Sequence, residues 1–232
     1  MKKFFVVLVA LAVTASIAHA QLNFGARAGF NLTNMSWKYD GKDVDLFAEI
    51  LSGITGNNVE ISQKFRPGFQ IGLVADYALT DAISIQPGIL FAQQGYKVNE
   101  SIDFMGQKID FKASINLNYI QIPINVQYKM DMGGMNLILQ AGPYLGFGLG
   151  GKMKFEASGQ SEEEDIKFGS GDEHMLKPLD LGLGLGAGLQ FGAIQVGLGY
   201  NLGLANIVND DDSKFKVKNN GLALTLTYVF GY

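Results

Sequence analysis

Three observations predict an all-β fold, an eight-stranded antiparallel up-and-down transmembrane β-barrel. Eight segments alternate apolar with small or polar residues. Short connections at one end oppose long polar ones at the other. Beyond the first 20 positions, no run of 18 apolar residues exists to form a membrane helix. A strand points successive side chains to opposite faces, so alternation makes one face apolar and the other small or polar. The last segment shows this best. Leu222, Leu224, Leu226, Tyr228, Phe230 and Tyr232 share one face, with Ala223, Thr225, Thr227, Val229 and Gly231 on the other. Over 179–191, Leu179, Leu181, Leu183, Leu185, Ala187, Leu189 and Phe191 alternate with Asp180, four glycines and Gln190.

In chain order, residues 1–20 are expected to be a secretory signal peptide. Lys2 and Lys3 form its positive start, Phe4 to Val13 its apolar stretch, and Ala18-His19-Ala20 the small-residue cleavage site before Gln21. Residues 21–232 are then the barrel domain. Its eight segments are 22–32, 67–79, 83–96, 115–129, 135–149, 178–192, 194–204 and 221–232. Each is long enough to cross a bilayer as a tilted strand of about 9–11 residues. The fourth carries Pro123 and shifts phase near Tyr119, which predicts a bulge or bend there. Short connections fall at Thr80-Asp81, Met130 to Gly134 and Gly192-Ala193; long polar ones span 33–66, 97–114, 150–177 and 205–220. In outer-membrane barrels the short turns are periplasmic. Phe24, Tyr77, Tyr128, Phe191 and Tyr228 fall near the short-turn ends, and Phe30, Phe69, Phe91, Phe147 and Tyr200 near the long-loop ends. Two such aromatic belts are expected at the two membrane interfaces.

Glycine takes 30 of 232 positions, roughly twice the usual share, and charged residues 17%, below the usual figure of about 25%. Without Lys2 and Lys3 the 18 basic residues become 16 against 22 acidic, a net charge of −6. That balance argues against nucleic acid as a partner, since phosphate binding needs concentrated Lys and Arg. The absence of cysteine excludes disulfides and thiolate chemistry. The non-apolar face is expected inside. There Arg27 could pair with Asp76 and Asp180, with Gln140 and Gln190 on the same polar lining. The glycines of 182–188 would let bulky residues of the opposite wall pack in. A polar channel and a plugged, hydrogen-bonded core both fit this lining. The plugged core is favoured because eight strands enclose little beyond side chains.

No catalytic residues, cofactor or metal are expected. His174 is the only histidine after residue 20 and has no nucleophile motif beside it. The acidic runs Glu162 to Asp165 and Asp210 to Asp212 supply oxygen ligands, but their spacing matches no ordered calcium loop, and solvated charge is the better reading. Leu46, Phe47, Ile50, Leu51 and Ile54, just after Trp37, have helical spacing. They predict a short amphipathic helix that caps the barrel mouth or docks a partner. Apolar and aromatic residues run through Tyr228, Phe230 and Tyr232. The last strand is expected to pair with the first, removing open edges that lipid would penalise.

Several short motifs now add up. They are Ile85-Gln86-Pro87-Gly88-Ile89-Leu90-Phe91 followed by Gly95, Asn118-Tyr119-Ile120-Gln121-Ile122-Pro123-Ile124, Ala141-Gly142-Pro143-Tyr144-Leu145-Gly146, Asp180-Leu181-Gly182 with Gly186-Ala187-Gly188, and Gly203-Leu204-Ala205-Asn206-Ile207. In this order the chain resembles the PorT-like outer-membrane β-barrel proteins of Bacteroidetes, over nearly all of 21–232. The resemblance implies fold and location. It brings no catalytic residues, and the secretion role of the founding member is not carried over. The terminal strand also resembles the signal that such barrels present to their assembly machinery. The expectation is an outer-membrane barrel of structural, binding or assembly type and not an enzyme. Its expected partners are outer-membrane lipid, the barrel-assembly machinery and an extracellular or secretion-system protein. A rim-active enzyme of lipid or peptide hydrolysis and a narrow passive channel stay open as alternatives.

Overall fold

The structure, a computed structural model, describes residues 22–56, 65–104, 107–157, 160–171, 174–210 and 214–231. The expected signal peptide lies outside them, as do Asp211, Asp212 and Tyr232. The described strands are β1 (Leu22–Tyr39), β2 (Lys42–Asp43), β3 (Arg66–Ala78), β4 (Ile83–Phe104), β5 (Gln107–Asp131), β6 (Asn136–Ala157), β7 (Gln160–Ile166), β8 (Leu179–Phe191), β9 (Ile194–Gly203) and β10 (Phe215–Val229). One helix, α1 (Leu46–Thr55), lies between β2 and β3. No helix among the described residues is long and apolar enough to cross a membrane, which says nothing against strands doing so.

Eight strands close a ring in the order β10-β9-β8-β6-β5-β4-β3-β1, and β1 pairs with β10 to complete it. All neighbours are antiparallel. The seam is long, running from Gly25↔Val229 to Tyr39↔Phe215. β2 and β7 lie outside the ring, paired with β1 and β6.

The eight expected segments match the ring, but five strands run well past them. β1 continues to Tyr39, β4 and β5 form one hairpin up to the pair Phe104↔Gln107, β6 continues to Ala157, and β10 begins at Phe215. Much of the expected long loops is therefore strand. Where their side chains are described, the residues there alternate too, with polar ones such as Ser36, Lys38 and Lys216 on the outer parity, so their composition reads as loop. The expected phase shift in β5 does not occur: its odd-numbered residues point inward without a break from Ala113 to Gln127. The expected irregularity is nevertheless present at that place, between Asn118 and Tyr119 in register, with its extra residue on the partner strand. Asn118 faces Gly150 while Tyr119 faces Gly148, leaving Leu149 as the extra residue of a bulge on β6. Gly150 next to it has φ 154°, a conformation that favours glycine.

Two zones stack along the ring axis. In the lower one, an apolar band faces outward all round. Phe24, Leu73, Ile89, Val126, Leu139, Leu185, Leu198 and Leu224 are all exposed. Phe69 and Phe91 rings lie 5.6 Å apart at its upper border, and Tyr228 and Phe230 5.4 Å apart at its lower one. The upper zone, here called the lobe, has an inward apolar core built on Met35, Trp37, Tyr96, Val98, Ile115, Leu117 and Val217. α1 covers this core. Asp45 caps its start by accepting from the Ala48 amide at 3.2 Å, and Gly56, at φ 70°, ends it. Phe47 stacks on Tyr96 at 5.6 Å, and Leu51, one turn on, is buried as well. The helix expected at the barrel mouth is present and packs inward through these two residues. The side chains of Leu46, Ile50 and Ile54 lie outside the described ones.

Candidate functional site

The lumen of the lower zone is lined by one parity of each strand, and that lining is mostly polar, with Val74, Leu90 and Ile138 among the exceptions. Arg27 sits on β1 opposite Thr227 of β10 and donates from Nε to its Oγ1 at 2.9 Å. Its Nη2 donates to Gln86 Oε1. Gln86 Nε2 donates to Gln195 Oε1 at 3.4 Å, Gln195 Nε2 to Gln190 Oε1 at 3.3 Å, and Gln190 Nε2 to the Gly192 carbonyl at 3.0 Å. A single directed chain thus crosses the lumen from the guanidinium to a short turn. All four of its polar side chains are buried. Each of the four side chains donates to an acceptor, which is what removal from water favours.

The five residues expected to form one network are split among separate groups. Arg27 and Gln190 belong to the chain just described. Asp76 is ion-paired to Lys129 at 2.8 Å near the short-turn end. Gln140 accepts from Gln127 at 3.1 Å. Asp180, fully buried, accepts from Asn219 Nδ2 at 3.0 Å, and the same amide also reaches Tyr119 Oη. The expected direct pairing of Arg27 with Asp76 and Asp180 is therefore corrected: among the described contacts Arg27 is held by Gln86 and Thr227. The reason is register. Arg27 faces Gly72 on β3, four residues short of Asp76, while Lys129 reaches Asp76 from β5. Lys129 shares the inward parity of Asn125 and Gln127, and that parity is the signal that could have found it.

Glycines decide how full the lumen is. On the β6–β8 wall, Gln140 faces Gly186, Tyr144 faces Gly182 and Asp180 faces Gly146. A Cβ on Gly182 would lie 2.3 Å from the Tyr144 ring. The space is thus taken by the directly paired neighbour, not by the opposite wall as expected. Where two glycines face each other, at Gly142 and Gly184, a cavity of about 50 Å³ remains. Two others along the lumen measure about 20 and 10 Å³.

The lobe above holds the other sequence candidates. His174 donates its backbone N–H to the Gly171 carbonyl, and its own carbonyl accepts from Asn209. Its ring packs against Gly169. Asp172 and Glu173 beside it lie outside the described residues. The acidic run Glu162 to Asp165 forms the edge strand β7, where Glu163 pairs with Lys152, rather than a loop. That ion pair and the one between Lys112 and Glu156, at 2.8 Å, sit on the exposed outer face of the lobe. In each, the hydrogen bond to lysine and then its charge lower the glutamate pKa below the ordinary value. Among the described residues no group of three or more His, Asp or Glu is placed to hold a metal ion. Phe230, of the expected assembly strand, donates its amide to the Phe24 carbonyl at 2.7 Å beyond the last β1–β10 pair. Tyr228 faces Ala26 across that seam.

The model of a family described as the outer membrane protein beta-barrel domain matches residues 15–209. No curated protein matches the chain in sequence. Among solved structures, neisserial surface protein A, from Neisseria, is 15% identical over 88% of this chain and 96% of its own, with a TM-score of 0.40. Ail, the attachment invasion locus protein of Yersinia pestis, is 18% identical over 91% of this chain and 100% of its own, at 0.37. The N-terminal β-barrel domain of Pseudomonas aeruginosa OprF is 12% identical over 90% and 98%, at 0.32.

Proposed function

The chain belongs to the outer membrane protein beta-barrel domain family, and from that premise we propose that it is a non-conducting barrel that anchors a folded external lobe and acts by binding. One observation carries this reading. The lumen is crossed by the Arg27-Gln86-Gln195-Gln190 chain, and the spaces left along it are no larger than about 50 Å³. An ion would have to break that chain of buried hydrogen bonds to pass. What remains to act is the lobe, which this reading places outside the cell because the short turns lie at the other end.

The reading includes export by the signal peptide at 1–20 and insertion by the barrel-assembly machinery through the C-terminal segment with Tyr228, Phe230 and Tyr232. An extracellular or secretion-system protein is the partner class for the lobe surface. Within the family, the motifs from Ile85 to Phe91 and from Asn118 to Ile124 support a place among the PorT-like members of Bacteroidetes. The rim-enzyme alternative rests on His174, so activity that survives His174→Ala would remove its basis. Planar-bilayer recording tests the main reading. The expected result is insertion without steady current. A stable pore of nanosiemens size overturns it, and Arg27→Ala should then change its conductance.

A further inference from the structure

The lobe core is not solid. It holds a partly open cavity of about 250 Å³, larger than the three in the lumen. Its wall is made only of apolar side chains, among them Trp37, Ile115, Met153, Ile166, Leu176 and Val217, drawn from both sides of the ring and from the segment before β8. Water needs two to four polar partners to sit in such a space, and this lining gives it almost none. An apolar cavity of about 150 Å³ already suffices to stay dry and take up benzene. Methionines add an adaptable surface: Met35, Met153 and Met175 all line the space. Met175 is also exposed to solvent, so the cavity reaches the water side of the lobe at that residue.

The lining shows no polar surface to the cavity, so Trp37 borders it with its ring and not with its buried N–H. We infer that the cavity is a binding site for a single alkyl chain, held against the methionines and the Trp37 ring. The lining supplies no cation, which disfavours an ionised head group. The inference deepens the proposed function and rests on its assignment of binding to the lobe. The ligand is either a free amphiphile or the chain of a membrane lipid, which share this chemistry.

Trp37 is the only tryptophan of the chain, so its fluorescence reads the site directly. The full protein is placed in phosphatidylcholine nanodiscs and titrated with 8-bromooctan-1-ol, whose bromine quenches indole on contact. A second preparation uses discs of brominated phosphatidylcholine with no alcohol added. Saturable quenching by the alcohol supports the site with a free ligand. Quenching in brominated discs alone supports it with a lipid source. Val217→Phe and Val208→Phe fill the cavity from different walls. Each should raise the half-saturating concentration about tenfold or more, because most of a small ligand's contacts are lost. Heat-shifted gel mobility verifies that each variant is folded, and either one suffices. Quenching that never saturates, or that is the same in the filled variants, overturns the inference. Conductance is independent: a conducting barrel with saturable quenching loses the plugged lumen and keeps the site.

Discussion

Below Thr33 and above it, β1 keeps one unbroken parity, yet its two parts are sorted in opposite senses. Below, Arg27 and Asn31 point inward while Phe24 and Phe30 point out. Above, Met35 and Trp37 point inward while Ser36 and Lys38 face out. β10 does the same in reverse order: Val217 is inside with Lys216 and Lys218 outside, then Thr227 is inside with Leu224 and Leu226 outside. The backbone is continuous, so the medium must set the sorting. In lipid, apolar side chains gain nothing by leaving the surface, and every buried polar group needs a partner. In water, burial of each large apolar side chain stabilises by about 1.5–3 kcal/mol. Trp37, Tyr96 and Leu117 therefore form a conventional core a few residues above a lumen of glutamines.

The two zones should differ most in their tolerance of open edges. β7 ends its sheet in water as an edge strand, blunted by Glu162, Glu163, Glu164 and Asp165. The β1–β10 seam has no such freedom, since unpaired backbone groups in lipid cost several kcal/mol each. Deletion of Phe230 to Tyr232 removes the amide that bonds Phe24 and the aromatic residues that follow β10 in sequence. It is expected to abolish outer-membrane insertion. Trimming of Glu162 to Asp165 is expected to leave membrane levels intact. Cell fractionation compares the two, and normal levels of the first deletion would break the contrast.

Charge on the outer face comes next in size. Leu185 points to lipid midway along β8 and is 64% exposed. Leu185→Arg should lower stability by about 2–4 kcal/mol, the depth-dependent cost near a bilayer midplane. Ser161→Arg, on the exposed β7 opposite Glu156, should change it by less than about 0.5 kcal/mol. Urea unfolding from phosphatidylcholine vesicles measures both. Equal effects would mean that the two outer faces meet the same medium.

The same contrast explains how much could be read from sequence. Leu179 to Phe191 and Leu222 to Phe230 show clean alternation, and they fixed the ring, its eight members and its lipid face. The stretches 97–104 and 107–114 alternate as well, but Lys97, Glu100, Lys108 and Lys112 lower their apolar content to that of a loop. The change of outward residues from Asn116 and Asn118 to Ile120 and Ile122 looked like a slipped phase. It marks the passage of β5 from water into lipid with its phase unbroken. Partners within the lumen were not legible, because parity gives the face of a residue and not its height. Arg27 and Asp180 share the inside, but they belong to different hydrogen-bonded groups. The cavity beside Trp37 left no mark in sequence, since absent volume has no residue to name it.

Packing of the lumen should be sensitive to single atoms at glycines that face a large neighbour. Gly182→Ala would place its Cβ 2.3 Å from the Tyr144 ring and 2.4 Å from the Leu202 carbonyl. A loss of about 1–3 kcal/mol is expected from such overpacking. Gly184→Ala meets only Asn201 Oδ1 within contact range that is tight, at 3.1 Å, and borders the 50 Å³ cavity. Its effect should be smaller in the same vesicle assay. Equal losses would show that the lumen is looser around Tyr144 than its geometry implies.

The smallest effect expected is a pH dependence confined to the lobe. Glu156 and Glu163 are hydrogen-bonded to Lys112 and Lys152, which lowers both carboxyl pKa values when the lobe is folded. In the unfolded chain they titrate near the ordinary glutamate value of about 4.3. A lowered folded value means that the unfolded state binds protons first as acid is added. The stability from these pairs is thus complete above the ordinary value and is lost as pH falls through the lowered one. The lysines have the opposite sign: their pKa values are raised, so their share is present at neutral pH and is lost only in strong alkali. Both pairs are exposed, so salt should shrink the acid effect. Trp37 emission, which reports the lobe alone, should show a shallow loss of urea resistance below about pH 4. E156Q with E163Q should flatten that loss. If the double variant keeps the same acid slope, protonation elsewhere loosens the lobe, and the exposed pairs contribute nothing to the zone that water holds together.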